Sequence, residues 1–530
     1  MIRGFGGLDT SEERKLAYQG FNVGSVYPLK RGENYVYEGF ILKLMKAGWQ
    51  FHDATNVVGF YPNESTEEPP EGSIIPPLDT LPKGFFHGDR IIIDPAMALS
   101  LLKNAEDPCK TFWVFRYYDL EHREFATYGK ALVRLIDFIQ ALATANGKST
   151  PKVNIVAHSM GGLIVREAVQ ITYPLSGRSA ADHINKIVTL GTPHGGITFQ
   201  VFNDLRWAKM LGLSAADDLD RFNPDNQKDP YQPNSLPNLQ KCFPLERLLC
   251  VAGTNYRSYS IGSSSFGNRL FSVANEFGAN YNRSDGLVKI TNALVPDAPR
   301  AFVHKCHGGF DSLLTARESF EIATRFFFGD VRVRLRLMKA QVTRGFDIFG
   351  RSEFFFGIAV KPRKLDFELF HQSREAENCY GPFHQSDFDD PNPAFGWAGE
   401  DRLIWEGFLN SNLRDRSTDL VLRAEFYVGE RDLLGIGFSD NVIFHRQYYV
   451  RAVRDEKLHL ELHSNENFMR QESVFPESRM HEVEAGWQFE IDGRGFKATC
   501  QLELDYIPED GLPVPIRPQP GHEKEDLLMA

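Results

Sequence analysis

The stretch Pro151–Val169, with the sequence PKVNIVAHSMGGLIVREAV, constrains the fold more than any other part of the chain. Its first part, Val153–Ala157, is an apolar run with β-branched residues, which is typical of a buried parallel strand. The run breaks at a glycine-containing turn and resumes with the apolar period of a helix. Ser159 stands at the apex, and the small residues Ala157 and Gly161 lie two positions before and after it. Small residues let strand and helix backbones approach closely, so the stretch predicts a sharp, strained turn that presents the Ser159 hydroxyl.

Strands and helices alternate on both sides of this turn. An apolar strand is expected at Thr111–Tyr118, and a helix follows with a stripe of Leu132, Leu135, Ile136 and Ile139. Further strands are expected at Lys186–Leu190, Leu248–Gly253 and Ala301–Val303. This order predicts a parallel sheet with helices on both faces. Two aperiodic stretches, near 62–90 and 197–243, are expected to be insertions, the second being either a lid or a plain surface excursion.

Two motifs together carry a family resemblance. Ala157–Gly162 has the sequence AHSMGG, and Leu190–Gly196 has the sequence LGTPHGG. The pair resembles the lipase branch of the α/β-hydrolases, which includes the lecithin-cholesterol acyltransferase-like lipases and the glycosylphosphatidylinositol inositol-deacylases. The resemblance covers about residues 1–330 and implies an α/β-hydrolase catalytic domain with Ser159 as its nucleophile. It does not identify the substrate.

The resemblance also implies the order nucleophile, acid, histidine along the chain. Asp285, which is followed by glycine, resembles the acid loop of related lipases, and His307 follows the last expected strand. In this arrangement Ser159 attacks a carbonyl carbon, His307 takes and returns the proton, and Asp285 fixes the histidine tautomer. His304 is a rival base. We prefer His307 because the two glycines that follow it let the loop aim the ring at the serine.

The first residues of the chain resemble an oxyanion loop. Arg3–Gly7 has the sequence RGFGG, and the backbone N–H groups of Phe5 and Met160 are the expected oxyanion donors. A flexible glycine-rich terminus is the alternative interpretation. Only Met1 and Ile2 precede this loop, whereas strands typically run about five to six residues. We therefore expect additional residues upstream of Met1 to supply the rest of the strand.

The hydrophobic period changes after residue 330. Val331–Leu337 alternates strictly between apolar and polar residues, as do Leu458–Leu462 and Ala498–Leu504. Five other short strands are expected at 354–360, 403–408, 420–428, 442–444 and 487–491. This pattern predicts an all-β, antiparallel sandwich domain over residues 331–507, placed like the C2- or PLAT-type sandwiches of some lipases.

Two features of this second half concern loops and the terminus. The acidic residues Asp387, Asp389, Asp390 and Asp440 would suit calcium loops, but acidic turns are common at sandwich edges, and we expect no metal. Residues 508–530 are proline-rich, charged and aperiodic, which predicts a disordered tail.

Composition limits the partners of the 530-residue chain. Its 59 Lys and Arg residues against 70 Asp and Glu residues give a net charge of −11, which argues against a nucleic-acid surface. Six cysteines are scattered without C-x-x-C pairs, and no nucleotide-binding motif stands in a strand–helix context, so no cofactor is expected. With no secretory signal or bilayer-spanning run, we expect a cytoplasmic protein. Peripheral membrane contact and oligomeric state stay open.

These observations favour a serine hydrolase that cleaves carboxylic esters, lipid-like in character, through an acyl-enzyme intermediate. Two alternatives stay open at this point. The same triad could serve an acyltransferase, or the chain could be a non-catalytic scaffold or binding protein that acts through its β-sandwich.

Overall fold

The computed structural model describes residues 1–4, 24–26, 33–35, 37–52, 72, 74, 78–86, 95–104, 110–117, 125–196, 222–255, 284–309, 311–342, 353–363, 370–371, 380–383, 403–411, 419–431, 442–454, 457–470, 475–508 and 513–518. The chain divides into two compact units. The first comprises Met1–Arg300 and Lys305–Phe320, and the second comprises Ala301–His304 and Glu321–Ala530.

The first unit contains the expected run of strands. A small antiparallel pair, β1 (Gly24–Val26) and β2 (Glu33–Tyr35), precedes the parallel pair β3 (Gln50–His52) and β4 (Thr111–Trp113). A larger sheet then contains β5 (Val153–His158), β6 (Ile184–Leu190) and β7 (Leu248–Gly253) in that order. Strand β8 (Arg300–Val303) follows in the chain, and all of it except Arg300 is assigned to the second unit. Strands β5, β6 and β7 run parallel, as the alternation of strands and helices predicts. The strand expected at Thr111–Tyr118 is regular only over β4.

Met1 and Ile2 lie between β5 and the residues that follow β4. Ile2 forms parallel bridges with Ala157 on one side and Phe115 on the other. Its N–H donates to the Val156 carbonyl at 2.9 Å, and its carbonyl accepts the His158 N–H at 3.0 Å. This segment therefore leads directly from the sheet to the residues beside Ser159.

Helices alternate with strands along the first unit, and the last of them continues into the second unit. Their bounds are α1 (Glu38–Lys46), α2 (Pro95–Asn104), α3 (Phe125–Ala145), α4 (Met160–Glu167), α5 (Tyr173–Leu175), α6 (Pro224–Lys228), α7 (Leu236–Cys242), α8 (Ile290–Ala293) and α9 (Arg317–Phe328). Helix α3 buries its predicted apolar stripe at Leu132, Leu135 and Ile136. On α1, Phe40 and Ile41 are buried, whereas Met45 is half exposed. None of the described helices combines the length and apolarity needed to cross a bilayer.

The predicted insertions are described only in part. Near 62–90, the described residues include two short 3₁₀ turns, Leu78–Thr80 and Lys83–Phe85. Of the stretch 197–243, residues 222–243 are described and contain α6 and α7. The remainder of both stretches lies outside the described residues, as do the acidic residues considered for calcium.

Two antiparallel sheets make up most of the described part of the second unit. The first has the order β11 (Phe370–His371), β10 (Glu353–Pro362), β14 (Asp419–Arg431), β15 (Val442–Arg454) and β16 (Leu458–His463), with β12 (Tyr380–Phe383) also paired to β10. The second has the order β13 (Leu403–Leu409), β9 (Val331–Val342), β19 (Phe496–Tyr506), β18 (Gly486–Gly493) and β17 (His481–Val483). The all-β character predicted from the alternating pattern is therefore present.

Aromatic side chains connect the two sheets of this unit. Phe426 of β14 lies 6.2 Å, centroid to centroid, from Phe489 of β18. Phe496 of β19 lies 5.3 Å from Phe444 of β15 and 5.9 Å from Phe356 of β10. Because each contact joins one sheet to the other, the sheets face each other as a sandwich with an apolar interior.

The alternation in β9 separates apolar from charged residues. Val331, Val333, Leu335 and Leu337 are buried, whereas the intervening arginines form ion pairs on the other face. Arg332 contacts Glu406 at 2.5 Å, Arg336 contacts Glu503 at 2.8 Å, and Arg334 contacts Asp505 at 3.0 Å. Burial raises the pKa of Asp505, and the neighbouring arginines oppose that shift.

The expectation of a disordered tail from residue 508 is wrong at Val514–Ile516. These residues form strand β20, which pairs antiparallel with Leu504–Tyr506 of β19. Pro515 is tolerated there because an edge strand need not donate every N–H to a ladder. Residues 519–530 lie outside the described residues.

Candidate active site

Ser159 occupies the turn between β5 and α4 in a conformation that is rare for a residue with a side chain. Its φ is 52° and its ψ is −127°. Its N–H donates to the Leu190 carbonyl at 2.9 Å, and its own carbonyl accepts the Thr192 hydroxyl at 2.9 Å. Neighbouring strand ends thus hold a strained backbone that presents the serine side chain, as the sequence predicts.

Glycines permit this turn to pack tightly. A Cβ atom at Gly161 would overlap the backbone carbonyl oxygen of Arg3, and one at Gly162 would overlap the Thr192 hydroxyl. At Gly4, a Cβ atom would lie 2.7 Å from the Ser159 Cβ. The turn is therefore closed on two sides by backbone and by a β-branched side chain that hydrogen-bonds to the serine carbonyl.

The structure brings Ser159, His307 and Asp285 together. His307 Nε2 lies 2.9 Å from Ser159 Oγ, and His307 Nδ1 lies 2.8 Å from Asp285 Oδ2. All three residues are buried, with exposed fractions of 7%, 4% and 1%. The imidazole within hydrogen-bond distance of Ser159 Oγ is that of His307, the base that we prefer over His304. A carboxylate, an imidazole and a hydroxyl in this order can move a proton from the serine as it attacks.

Backbone groups fix the carboxylate of Asp285. Its Oδ1 atom accepts the N–H groups of Leu287 at 3.0 Å and Val288 at 2.7 Å. Its main-chain carbonyl accepts the His307 N–H at 2.8 Å. Gly191, with a φ of +56°, passes so close that a Cβ atom there would lie 2.8 Å from Asp285 Oδ2. The acid and the base thus belong to one hydrogen-bonded assembly, which leaves Oδ2 to orient the imidazole.

Of the two expected oxyanion donors, the described residues include only Met160. Phe5 lies outside the described residues. Met160 begins helix α4, where backbone N–H groups have no partner within the helix, and it directly follows Ser159. The N–H of Gly4 donates to the Tyr37 hydroxyl at 2.6 Å. Met160 therefore stays the candidate donor that the described residues contain.

Sequence analysis missed two residues beside this site, His158 and Tyr37. His158 Nδ1 lies 2.9 Å from the Tyr37 hydroxyl, and its Nε2 lies 2.9 Å from the His307 carbonyl oxygen. Burial and the nearby His307 lower the pKa of His158 well below its ordinary value. The only available signal was the position of His158 next to Ser159, since Tyr37 is 121 residues away.

The surroundings of His194, in the second motif, are those of a buried structural residue. It is fully buried, and its Nε2 lies 2.9 Å from the Thr189 hydroxyl. Its carbonyl accepts a hydrogen bond from the buried Arg166 at 2.9 Å. Within the described ranges, no group of three or more His, Cys, Asp or Glu residues is arranged to hold a metal ion.

A comparison with protein families matches residues 103–206 to the PGAP1-like alpha/beta domain. That range contains β5, the turn at Ser159 and helix α4. The matched part of the first unit is therefore similar to the alpha/beta domain of that family. No curated protein matches the chain by sequence.

Solved structures of three enzymes also resemble parts of this chain. A mature Bacillus licheniformis lipase is 20% identical over 42% of this chain and 85% of its own, with a TM-score of 0.29. A Legionella pneumophila phospholipase is 12% identical over 62% of this chain and 82% of its own, with a TM-score of 0.25. A metagenomic carboxyl esterase is 17% identical over 41% of this chain and 66% of its own, with a TM-score of 0.22. Because all three TM-scores lie below 0.5, these likenesses carry no argument about substrate.

Proposed function

We propose that this protein is a serine hydrolase that cleaves carboxylic esters of lipid-like substrates through an acyl-enzyme intermediate. The observation that carries the proposal is the continuous hydrogen-bonded series from Asp285 through His307 to Ser159 Oγ, with distances of 2.8 and 2.9 Å. A serine at the end of such a series is activated at the moment of attack, because the imidazole receives its proton.

Each residue has one task in this mechanism. Ser159 Oγ attacks the ester carbonyl carbon while His307 Nε2 takes its proton. His307 then gives that proton to the departing alkoxide, which leaves as an alcohol. A water molecule attacks the acyl-enzyme by the same route, and the acid product leaves with Ser159 restored. Asp285 keeps the His307 proton on Nδ1 and stabilises the imidazolium that forms.

The negative charge that forms on the carbonyl oxygen requires donors close to Ser159. We propose that the Met160 N–H is one donor, since it follows the nucleophile at the start of α4. We keep the Phe5 N–H as the proposed second donor. The substrate is proposed to be a small-molecule or lipid ester, and no cofactor takes part in any of these steps.

Turnover of a series of p-nitrophenyl esters of increasing acyl length tests this proposal. We expect Ser159→Ala and His307→Ala each to lower kcat/KM by a factor on the order of 10⁴ or more, because triad residues act as a unit. His304→Ala and Ser176→Ala are the matched controls and should retain the wild-type rate. Equal rates for Ser159→Ala and the wild type would overturn the proposal. Loss with His304→Ala but not with His307→Ala would move the base to His304.

A further inference from the structure

A chain of hydrogen bonds runs behind the proposed triad and joins residues that the mechanism does not use. It begins at the Gly4 N–H, passes through the Tyr37 hydroxyl and the His158 ring, and ends at the His307 carbonyl. The successive distances are 2.6, 2.9 and 2.9 Å. It therefore links the backbone on one side of Ser159 with the backbone of the histidine on the other side.

The chemistry of the two end groups limits where the protons of this chain can lie. The His307 carbonyl can only accept, so His158 Nε2 carries a hydrogen. The Gly4 N–H can only donate, so Tyr37 Oη accepts from it. In a neutral His158 ring with its hydrogen on Nε2, Nδ1 has no hydrogen and accepts the Tyr37 hydroxyl. A neutral His158 ring satisfies every member of the chain. The lowered pKa of His158 agrees with this state, since burial disfavours the charged ring.

The packing around these groups leaves little freedom. His158 and Tyr37 are 6% and 5% exposed, and their rings meet edge to face with centroids 5.8 Å apart. The His158 ring also lies 4.8 Å from the His307 ring, centroid to centroid. A Cβ atom at Gly4 would lie 2.8 Å from His158 Nδ1 and 2.7 Å from the Ser159 Cβ. A displacement of either ring would therefore displace backbone that touches the nucleophile.

We propose that Tyr37 and His158 are positioning residues that hold the Gly4 peptide and the His307 backbone in one fixed arrangement around Ser159. This inference rests on the proposed ester hydrolysis, because positioning has a measurable effect only on a reaction at Ser159. Neither residue exchanges a proton with substrate. Their contribution is to keep the proton acceptor and the start of the predicted oxyanion loop in place while charge develops.

Such positioning has a recognisable kinetic effect. A misplacement of about 1 Å in a reacting group can cost on the order of 100-fold in rate. Groups that act only as charge develops lower kcat when they are displaced, and they leave KM nearly unchanged. A purely structural role would instead lower the amount of folded, active enzyme without changing the properties of the remaining molecules.

Tyr37→Phe is the decisive variant, because it removes one oxygen atom and keeps the ring. We expect kcat per active site, titrated with a fluorophosphonate, to fall about 10- to 100-fold, with KM within about twofold. Tyr173→Phe is the matched control, because the hydroxyl of this fully buried tyrosine has no hydrogen-bond partner among the described residues. It should keep the wild-type kcat.

Two conservative variants separate the branches of the chain. His158→Asn keeps an acceptor near Nδ1 for Tyr37, and His158→Gln keeps a donor near Nε2 for the His307 carbonyl. If the residues act as one chain, Tyr37→Phe combined with His158→Gln should lose less than the product of the two single losses. Fully multiplicative losses, or a wild-type kcat in Tyr37→Phe, would overturn the proposal.

The tautomer of His158 gives a test that does not need activity. Nitrogen-15 NMR of histidine-labelled protein, assigned with His158→Asn, should show this ring protonated on Nε2 and unprotonated on Nδ1. The opposite tautomer or a charged ring near neutral pH would overturn the hydrogen-bond chain.

Wild-type protein without ester turnover would instead contradict the proposed function. Wild-type turnover together with an undiminished Tyr37→Phe variant would contradict positioning alone.

Discussion

At the scale of single residues, the turn at Ser159 depends on neighbouring glycines, which have no Cβ atom. Gly161 faces the carbonyl oxygen of Arg3, and Gly162 faces the side chain of Thr192. The carbonyl belongs to backbone that is paired to β5 through Ile2, so it cannot rotate away as a flexible side chain would. A methyl group at Gly161 must therefore push two paired segments apart.

We expect Gly161→Ala to lower the free energy of unfolding by about 1 to 3 kcal/mol, as overpacking of a tight site does. Ester turnover should fall as well, since the displaced segment leads into the residues beside Ser159. Urea denaturation followed by tryptophan fluorescence measures the first effect. Gly84→Ala is the control, because a Cβ atom there meets nothing within 4 Å, and its stability should change by less than about 0.5 kcal/mol. Equal stabilities for the two variants would contradict the packing explanation.

The local part of the site could be predicted from sequence, and the long-range part could not. Ser159 was predictable because the strand, the turn and the helix lie within 19 consecutive residues. Asp285 and His307 were predicted from the residue order that the family resemblance implies and from the glycines beside them. The structure places His307 against Ser159 Oγ and Asp285 against His307. The contact of His158 with Tyr37 had no sequence signal, because no periodicity relates residues of different elements.

At the scale of elements, the alternation of apolar and charged residues along β9 determines which face of the strand lies inside the sandwich. Its apolar positions are buried, and its arginines pair with acids of β13 and β19. Strand ends were less predictable. The strand expected at 442–444 continues to Arg454, because its later residues pair with β16 as well as β14. Hydrogen bonding to two neighbours extends a strand beyond its clearest apolar run.

Leu335→Ala tests whether this alternation sets the stability of the sandwich. Leu335 is 3% exposed, so its truncation leaves a cavity and should cost about 2 to 5 kcal/mol of unfolding free energy. Lys339→Ala, at an exposed position of the same strand, should change that free energy by less than about 0.5 kcal/mol. Chemical denaturation of the full-length protein measures both. A larger cost for Lys339→Ala than for Leu335→Ala would contradict the assignment of the buried face.

At the scale of the whole molecule, the division between the two units falls inside a helix. The expected domain boundary follows residue 330, after α9, whereas the compact units separate between Phe320 and Glu321. Phe320 packs against Phe40 with ring centroids 5.5 Å apart, and Phe326 packs against Phe408 at 4.9 Å. Phe320 and Phe326 therefore pack within different units, and a change of periodicity carries no information about the contacts of single helix residues.

Covalent labelling of the full-length chain by a fluorophosphonate tests the central claim most directly. Attack of Ser159 Oγ on phosphorus expels fluoride, and the serine proton passes to His307, so the product is a stable phosphonyl ester. We predict one adduct per chain, mapped by mass spectrometry to the peptide that contains Ser159 and absent from Ser159→Ala. Folded wild-type protein that stays unlabelled, or an adduct on another residue, would contradict the assignment of Ser159 as the nucleophile.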